Sequence, residues 1–400
     1  MVSRSESPVR TDTTVVHAGR QPRMYHGAVN PPVYRASTIL FHTLEEFEAA
    51  KTHPRRDVTY GRYGTPTTFC LEEAVASLEG AYASALFPSG VAAIATTLLA
   101  LLKPGDHVLV PESVYGPARA ICDRLLGRIG VSTTYYDPLV GSGIVHEITE
   151  ATRVVYVESP GSLTFEVQDL PAIADAAHAR GALVVADNTW ATPLYHRPLA
   201  LGADISIHSA TKYIVGHSDV MLGIVAATEA TWQRLEETIR LLGQCAGGDD
   251  AYLAQRGLRT LSVRLDRHQH NARALADWLG TRAEVARVLH PSRPDHPGHA
   301  LWKRDFHGAS GLFGVVLRTT NRSAIKVFLE SLTLFGMGGS WGGYESLVFP
   351  FAPEGTRTTA QWCKAGTYVR IHAGLEDPID LIADLEQGLA RMRQLDLHCS

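Results

Sequence analysis

The chain has 400 residues, of which 45% are hydrophobic and 20% charged, and its formal net charge is −4 at pH 7. This length and apolar fraction allow a large buried core and predict two or three domains. The nearly balanced charge gives no general attraction to nucleic acid or to a membrane surface. No apolar run approaches the roughly 18 residues of a membrane span, and residues 1–8 lack an apolar signal core. We therefore predict a cytoplasmic protein with neither a nucleic-acid nor a membrane partner.

The cysteines and histidines do not indicate a metal site. Five cysteines are scattered along the chain with no C-x-x-C spacing, a pattern that supports neither a disulfide framework nor a zinc site. The 18 histidines include no H-E-x-x-H motif. We predict that the protein binds no metal.

The first region of the chain, residues 1–64, is polar, interrupted by proline and poor in helical periodicity. A segment of this kind has too few apolar residues to bury a core of its own. We predict an extended arm that makes its contacts elsewhere.

From residue 65 to about residue 260, short apolar strands alternate with helices. The strands are predicted at Ala85, His107, Arg153, Leu183 and Ile205. Strands that are apolar on both sides and alternate with helices are typical of a mostly parallel sheet covered on both faces. Ligands of such sheets bind beyond the carboxyl ends of the strands, where Glu158 and Asp187 lie.

A phosphate-type motif precedes one of these helices. The sequence Phe-Pro-Ser-Gly-Val at 87–91 leads into a small, apolar run that predicts a buried helix over 92–100. A helix start entered through Ser89, Gly90 and Val91 offers unpaired N–H groups and a positive dipole end to a phosphate. Because glycine also serves ordinary turns, the motif is weak by itself.

The loop Ser-Ala-Thr-Lys-Tyr at 209–213 lies about twenty residues after the strand that ends at Asp187. Alone, Lys212 is compatible with a solvated surface residue, and Asp187 with a helix N-cap. Together with the helix start, they suit pyridoxal phosphate: the lysine amine holds the aldehyde covalently and the acid keeps the pyridine nitrogen protonated. Ser209 and Thr211 can then hydrogen-bond the phosphate.

Beyond residue 260 the pattern changes. Strands are predicted near Glu284 and Gly311, and helices over 323–332 and from Asp380 to about Leu395. These lengths fit a smaller α+β domain with an antiparallel sheet.

These motifs together resemble the Cys/Met-metabolism family of pyridoxal-phosphate enzymes, from about residue 14 to the last helix. The resemblance rests on YGRYG at 60–64, FPSG at 87–90, ESPGS at 158–162, ADNTW at 186–190, SATKY at 209–213, GSWGG at 339–343 and YVRIHAGLED at 368–377. It implies the type I fold of pyridoxal-phosphate-dependent transferases, an α/β fold with a mostly parallel central sheet, a smaller C-terminal α+β domain and an extended N-terminal arm. The predicted parts are an arm at 1–64 that contacts the neighbouring subunit, a cofactor-binding domain at 65–260 and a C-terminal domain at 261–400.

The resemblance also implies roles for individual residues. Lys212 is the catalytic base, and Tyr115 matches the tyrosine that stacks on the cofactor ring; without the family, Tyr115 is equally compatible with a half-buried turn residue. Tyr60 and Arg62 match a pair from the adjacent subunit, with Arg62 on the phosphate and Tyr60 near the reacting atoms. Arg370 matches the arginine that binds the substrate carboxylate through two parallel hydrogen bonds, which lysine cannot copy. Lys212, Tyr115 and Tyr60 form the predicted catalytic set.

The implied reaction is β-elimination of the amino-acid thioether L-cystathionine to homocysteine, pyruvate and ammonia in methionine biosynthesis. An enzyme acting at Cγ, a γ-synthase or γ-lyase, is the alternative, because it shares the fold. Ser162 and Trp341 favour the β-lyase, since γ-active members usually carry asparagine and an aliphatic residue there. A non-catalytic cofactor-binding protein is a third, disfavoured class, because the lysine, acid, tyrosine and arginine are all present.

Three neighbouring residues are predicted to shape the substrate site. Ser340 and Trp341 line it, together with Tyr60 and Arg370. Gly339 stands where the enterobacterial-type enzyme carries a bulky aromatic residue, which predicts a wider pocket and side activity on cystine or other β-thioethers. The resemblance further implies active sites shared between two chains and a homotetramer built from two such dimers.

Overall fold

The computed structural model describes residues 9–52, 58–353 and 366–398. Ahead of residue 65, the described residues form the helices α1 (Thr11–His17) and α2 (Leu44–Thr52) and two short 3₁₀ helices at Pro22–Tyr25 and Gly61–Tyr63. The sequence pattern predicts neither α1 nor α2. Helix α1 buries Val15 in an apolar cluster that also contains Leu71, so the beginning of this segment packs on its own chain.

The central sheet has seven strands in the order β1-β7-β6-β5-β4-β2-β3. The strands are β1 (Ala83–Phe87), β2 (His107–Pro111), β3 (Ser132–Tyr136), β4 (Thr152–Glu158), β5 (Leu183–Asp187), β6 (Ile205–Ser209) and β7 (Gly223–Ala227). All neighbours pair in parallel except β7, which is antiparallel to both β1 and β6. The predicted mostly parallel sheet is confirmed, and β3 and β7 are additions that the sequence pattern did not predict.

Helices cover both faces of this sheet. They are α3 (Pro66–Glu79), α4 (Gly90–Leu101), α5 (Gly116–Ala120), α6 (Leu170–His178), α7 (Thr192–Tyr195), α8 (Glu229–Leu241) and α9 (Gly248–Leu258). On β5, Val185 packs on one face with Ile94 of α4, whereas Val184 packs on the other face with Ile173 of α6. Alternate residues of the strand are therefore apolar on both sides, as a doubly covered sheet requires.

A second sheet of five strands follows, in the order β10-β11-β12-β9-β8. The elements are α10 (Leu261–Leu279), β8 (Val285–Leu289), α11 (His299–Asp305), β9 (Leu312–Leu317), α12 (Arg322–Ser331), β10 (Gly336–Met337), β11 (Leu347–Phe351), β12 (Thr367–His372) and α13 (Pro378–His398). It is antiparallel apart from the short parallel pair of β10 and β11. The C-terminal α+β part of the fold is confirmed, while the boundaries at 64/65 and 260/261 stay predictions.

The two sheets share helix α10 and an apolar junction. Leu265 of α10 packs in the cluster beside the central sheet, and Leu275 packs in the cluster under the second sheet. Trp190 donates from its indole nitrogen to the Leu312 carbonyl oxygen at 2.9 Å. These contacts bring β12 and the loop between β10 and β11 next to the ends of β4, β5 and β6. Among the described residues, no helix combines the length and apolarity needed to cross a membrane.

Candidate active site

A cavity of about 330 Å³ lies at the carboxyl ends of β4, β5 and β6 and is closed on its other side by the second sheet. Its lining includes every predicted site residue except Tyr60 and Arg62: Ser89, Gly90, Val91, Tyr115, Asp187, Ser209, Thr211, Lys212, Ser340, Trp341 and Arg370. The fold therefore brings together residues that lie far apart in the sequence. Their individual roles remain predictions.

The amine of Lys212 is held at the cavity wall. It donates to the Ser340 hydroxyl at 2.7 Å and lies 5.3 Å from the centre of the Trp341 ring. Burial, with a smaller contribution from the positive charge of Arg370, lowers the pKa of Lys212 to about 8. About a tenth of the amine is thus uncharged at pH 7, far more than for an ordinary lysine, and the uncharged form is the one that acts as a nucleophile and proton acceptor.

The carboxyl group of Asp187, the last residue of β5, faces the cavity. It accepts hydrogen bonds from the backbone and hydroxyl of Thr189, at 3.0 and 2.5 Å, and lies 3.4 Å from the Tyr156 hydroxyl. Desolvation nevertheless outweighs these bonds and raises the pKa of Asp187. A cation beside it would reverse that preference, so the site fits a protonated pyridine nitrogen.

Thr189 is a site residue that the sequence reasoning missed. Its hydroxyl donates to Asp187 and accepts the backbone N–H of Ser209 at 2.8 Å. This side chain therefore links the end of β5 to the end of β6. The available signal was a hydroxyl residue two positions after an acid at a strand end.

The start of α4 and the loop after β6 form a cradle suited to phosphate. The Ser89 hydroxyl caps the helix by accepting the Ala92 N–H at 3.1 Å. A Cβ atom at position 90 would lie 2.7 Å from Ser209 Cβ, so glycine is needed for the helix start to approach Ser209 this closely. The Thr211 hydroxyl accepts the Leu222 N–H at 2.8 Å. The N–H groups at the start of α4 and the neighbouring hydroxyl groups provide the donors that a phosphate dianion requires.

Glu158 fixes the backbone at Tyr115, a contact that the sequence reasoning also missed. Its carboxylate accepts the Tyr115 N–H at 2.7 Å. Burial, followed by the negative charges of Asp187 and Glu158, raises the pKa of Tyr115. The phenol is therefore protonated at neutral pH, and its ring lies near the acid at the end of β5.

Arg370 lies on β12 and is buried at the cavity wall. It donates to the Ser340 carbonyl oxygen at 2.8 Å, and its guanidinium carbon lies 3.9 Å from the centre of the Phe349 ring. Burial lowers the pKa of Arg370 to about 10, so the group is still cationic at neutral pH. A fixed, cationic and planar donor suits a substrate carboxylate.

Tyr60 and Arg62 lie outside the cavity of their own chain. Arg62 donates to the Arg240 carbonyl oxygen at 3.1 Å and lies over the Tyr63 ring at 4.5 Å. Tyr60 is 43% exposed. Their predicted role depends on the cavity of a neighbouring subunit and stays a prediction.

The comparisons with known proteins agree with this geometry. The family model for Cys/Met metabolism PLP-dependent enzymes matches residues 12–390. The chain belongs to this family. Pyridoxal phosphate is its cofactor, and the buried acid, the amine with its lowered pKa and the helix start fit that group. In such a site Lys212 would hold the aldehyde, Asp187 the ring nitrogen, and the cradle of Ser89, Gly90 and Ser209 the phosphate.

Relatives and solved structures match over nearly the whole chain. A putative cystathionine β-lyase of Rhizobium johnstonii is 49% identical, covering 95% of this chain and 96% of the relative. A cystathionine β-lyase of Salmonella typhimurium is 45% identical, covering 95% and 98%. The structure of cystathionine γ-synthase from Xanthomonas oryzae pv. oryzae, in complex with aminoacrylate and cysteine, has a TM-score of 0.89 and 34% identity, covering 97% of this chain and all of that one.

Proposed function

We propose that the chain catalyses β-elimination of L-cystathionine to homocysteine, pyruvate and ammonia. The observation that carries the proposal is the grouping of Lys212, Asp187 and Arg370 around one cavity. The amine, the acid and the cationic guanidinium provide the base, the charge partner and the carboxylate site of this reaction. The near full-length similarity to cystathionine β-lyases supports the choice of substrate.

Each of these residues has a distinct task. Pyridoxal phosphate, when bound, supplies an aldehyde for the substrate amine and a ring that accepts the electron pair left at Cα. Arg370 holds the substrate carboxylate, and Lys212 Nζ removes the proton from Cα. Asp187 keeps the proton on the ring nitrogen, which favours that electron transfer. The Cβ–S bond then breaks with its electron pair on sulfur, and sulfur leaves as homocysteine after gaining a proton. The three-carbon amine that remains takes up one water and hydrolyses to pyruvate and ammonia.

The products of L-cystathionine distinguish this proposal from reaction at Cγ. γ-Elimination needs a second proton removed at Cβ, so the base must move along the substrate. Ser340 and Trp341 hold the Lys212 amine close to the loop, which restricts that movement. We expect pyruvate, ammonia and homocysteine, with little 2-oxobutyrate or cysteine, when the products are identified by mass spectrometry. Predominant 2-oxobutyrate, or efficient condensation of an O-acyl-homoserine with cysteine, would instead establish the γ-type reaction.

Gly339 is expected to broaden the range of thioethers that the enzyme cleaves. A Cβ atom built at this position meets no atom within 4 Å, so the cavity wall is open there. Because its backbone is not left-handed, a side chain is tolerated. We expect Gly339→Tyr to lower kcat/KM for cystine relative to cystathionine by at least about tenfold. Gly339→Ala is the matched control and should change this ratio little; an equal loss for both substrates in the tyrosine variant would contradict a specificity role.

We propose, further, that each active site takes Tyr60 and Arg62 from a second chain, in a dimer that pairs into a tetramer. Supporting observations are that neither residue lines the cavity of its own chain and that the apolar side chains of Met24, Leu40 and Leu44 are exposed. Mixing inactive Tyr60→Phe with inactive Lys212→Ala should restore part of the activity, because some sites regain both residues. Sedimentation checks the assembly. No recovery after verified subunit exchange, or a fully active monomer, would exclude shared sites.

The cytoplasmic location stays a prediction from the sequence.

A further inference from the structure

The loop that carries Ser340 and Trp341 is held to strand β12 at two backbone points. Arg370 donates to the Ser340 carbonyl oxygen at 2.8 Å. Two residues later on the same strand, the Nε2 atom of His372 accepts the Gly342 N–H at 3.0 Å. Side chains two residues apart on a strand share one face, so both contacts come from the same side of β12.

The contacts of His372 define a single uncharged form of its ring. Nε2 accepts a hydrogen bond from the Gly342 N–H and therefore carries no proton itself, while Nδ1 lies 3.1 Å from the Glu345 carbonyl oxygen, which can only accept. The ring is 1% exposed. Burial first, and the neighbouring His268 and cationic Arg370 and Lys212, lower the pKa of His372 well below its usual value. A protonated ring would turn a second N–H toward the N–H of Gly342.

At Gly342 this loop lies against the backbone of the lysine segment. Its φ is +87°, and a Cβ atom there would lie 2.8 Å from the backbone carbonyl carbon of Lys212. The rings of Trp341 and His372 both pack on Tyr213, with centroids 5.4 and 5.9 Å apart from it. The position of Gly342 therefore sets the position of the adjoining residues relative to the catalytic amine.

Of the two anchors, only His372 is independent of the substrate, because Arg370 has to divide its five N–H donors between the Ser340 carbonyl oxygen and the substrate carboxylate. Arg370 bonds the loop in the unliganded chain but has to bind the substrate carboxylate during turnover. His372 is not among the residues that line the cavity, so the substrate does not compete for it.

We infer that His372 is a positioning residue, which keeps Ser340 and Trp341 against Lys212 while Arg370 binds the substrate carboxylate. The inference rests on the proposed function in its assignment of Arg370. His372 acts through the loop and not on the reacting atoms. Its loss should therefore lower kcat more than it raises KM, because the misplaced group is the base.

Hydrogen exchange of the holoenzyme without substrate tests the anchor directly. His372→Phe keeps most of the ring volume but accepts no hydrogen bond, whereas His372→Gln offers a carbonyl oxygen at a similar reach. We expect the phenylalanine variant to exchange the peptide spanning 338–346 about tenfold faster and to lose about tenfold in kcat. The glutamine variant should recover most of both.

A buried histidine at the amino ends of the central-sheet strands, on the side away from the cavity, provides the matched control. His107 begins β2, and its two ring nitrogens bond Thr152 and Thr134 at 2.8 and 2.9 Å. His107→Phe should leave exchange of the 338–346 peptide unchanged. Unchanged exchange of that peptide in His372→Phe, or an equal effect of His107→Phe, would overturn the inference.

A second pair of variants keeps the test decisive if His372→Phe does not fold. The amide of His372→Asn reaches only as far as Nδ1, so it should release Gly342, whereas His372→Gln should retain it. Equal protection of the 338–346 peptide in both variants would reject the anchor. Because exchange is measured without substrate, these results stand whether or not cystathionine proves to be the substrate.

Discussion

Replacing Lys212 with alanine is expected to lower kcat for cystathionine by at least about 10⁴-fold. The substitution removes the amine that captures the cofactor aldehyde and also takes the proton from Cα. The visible absorbance band of the lysine-bound cofactor should disappear with it. Absorbance spectra and pyruvate release, measured on the same preparation, check both expectations. A variant with an unchanged visible band would show that another residue holds the cofactor.

The wild-type protein and an exposed lysine supply the controls for this result. Lys103 lies on a surface turn, and Lys103→Ala should keep both the band and the turnover. The amine of Lys212 has its pKa lowered to about 8, and only its uncharged form attacks an aldehyde. Growth of the visible band, when cofactor is added to the cofactor-free protein, should accelerate with pH up to about 8 and then level off. A rate independent of pH between 6 and 8 would contradict the uncharged-amine requirement.

Asp187→Asn is expected to lower kcat by about 100- to 1000-fold while leaving the fold intact. The amide has nearly the same shape and can still be hydrogen-bonded by its neighbours. It carries no charge, so it cannot keep a proton on the pyridine nitrogen, and the electron pair at Cα is less well stabilised. Steady-state kinetics and titration of the cofactor into the cofactor-free variant check the two effects separately. Full turnover in the asparagine variant would exclude an ionic role for this acid.

In contrast to kcat, the stability of the cofactor-free protein should not fall in the Asp187→Asn variant. Desolvation raises the pKa of Asp187 in the folded state, so ionising this carboxyl costs folding free energy once the pH exceeds its unfolded pKa. At pH 7 the neutral amide should therefore leave Tm unchanged or raise it. Asp204 is the control: it accepts the Val184 N–H at 2.7 Å at the amino ends of β5 and β6, away from the cavity. Asp204→Asn should lower Tm while sparing kcat. A lower Tm for the cofactor-free Asp187→Asn protein would mark Asp187 as a structural acid.

The sequence by itself determined the class of fold and the centre of the site. Apolar strands alternating with helices predicted the covered, mostly parallel sheet. A strand such as β5 carries apolar residues on both of its sides, which indicates that both faces of the sheet are buried. Local motifs predicted Lys212, Asp187 and the helix start at Gly90. These features can be predicted from residues that are close together in the chain. The site residues from distant segments were predicted only through the resemblance to a family.

Only the tertiary structure decided how the distant segments meet. Examples are the antiparallel pairing of β7, the hydrogen bond that Ser209 donates to Thr189, and the one that Gly342 donates to His372. The residues in these contacts are separated in the sequence by intervals that follow neither a helical nor a strand periodicity. The lowered pKa of Lys212 likewise depends on burial beside Arg370, more than 150 positions away. Such contacts arise when segments distant in the chain pack together, within the central sheet or between the two sheets, so a pattern local to the chain does not encode them. The periodicity that builds each element is local and can be read directly.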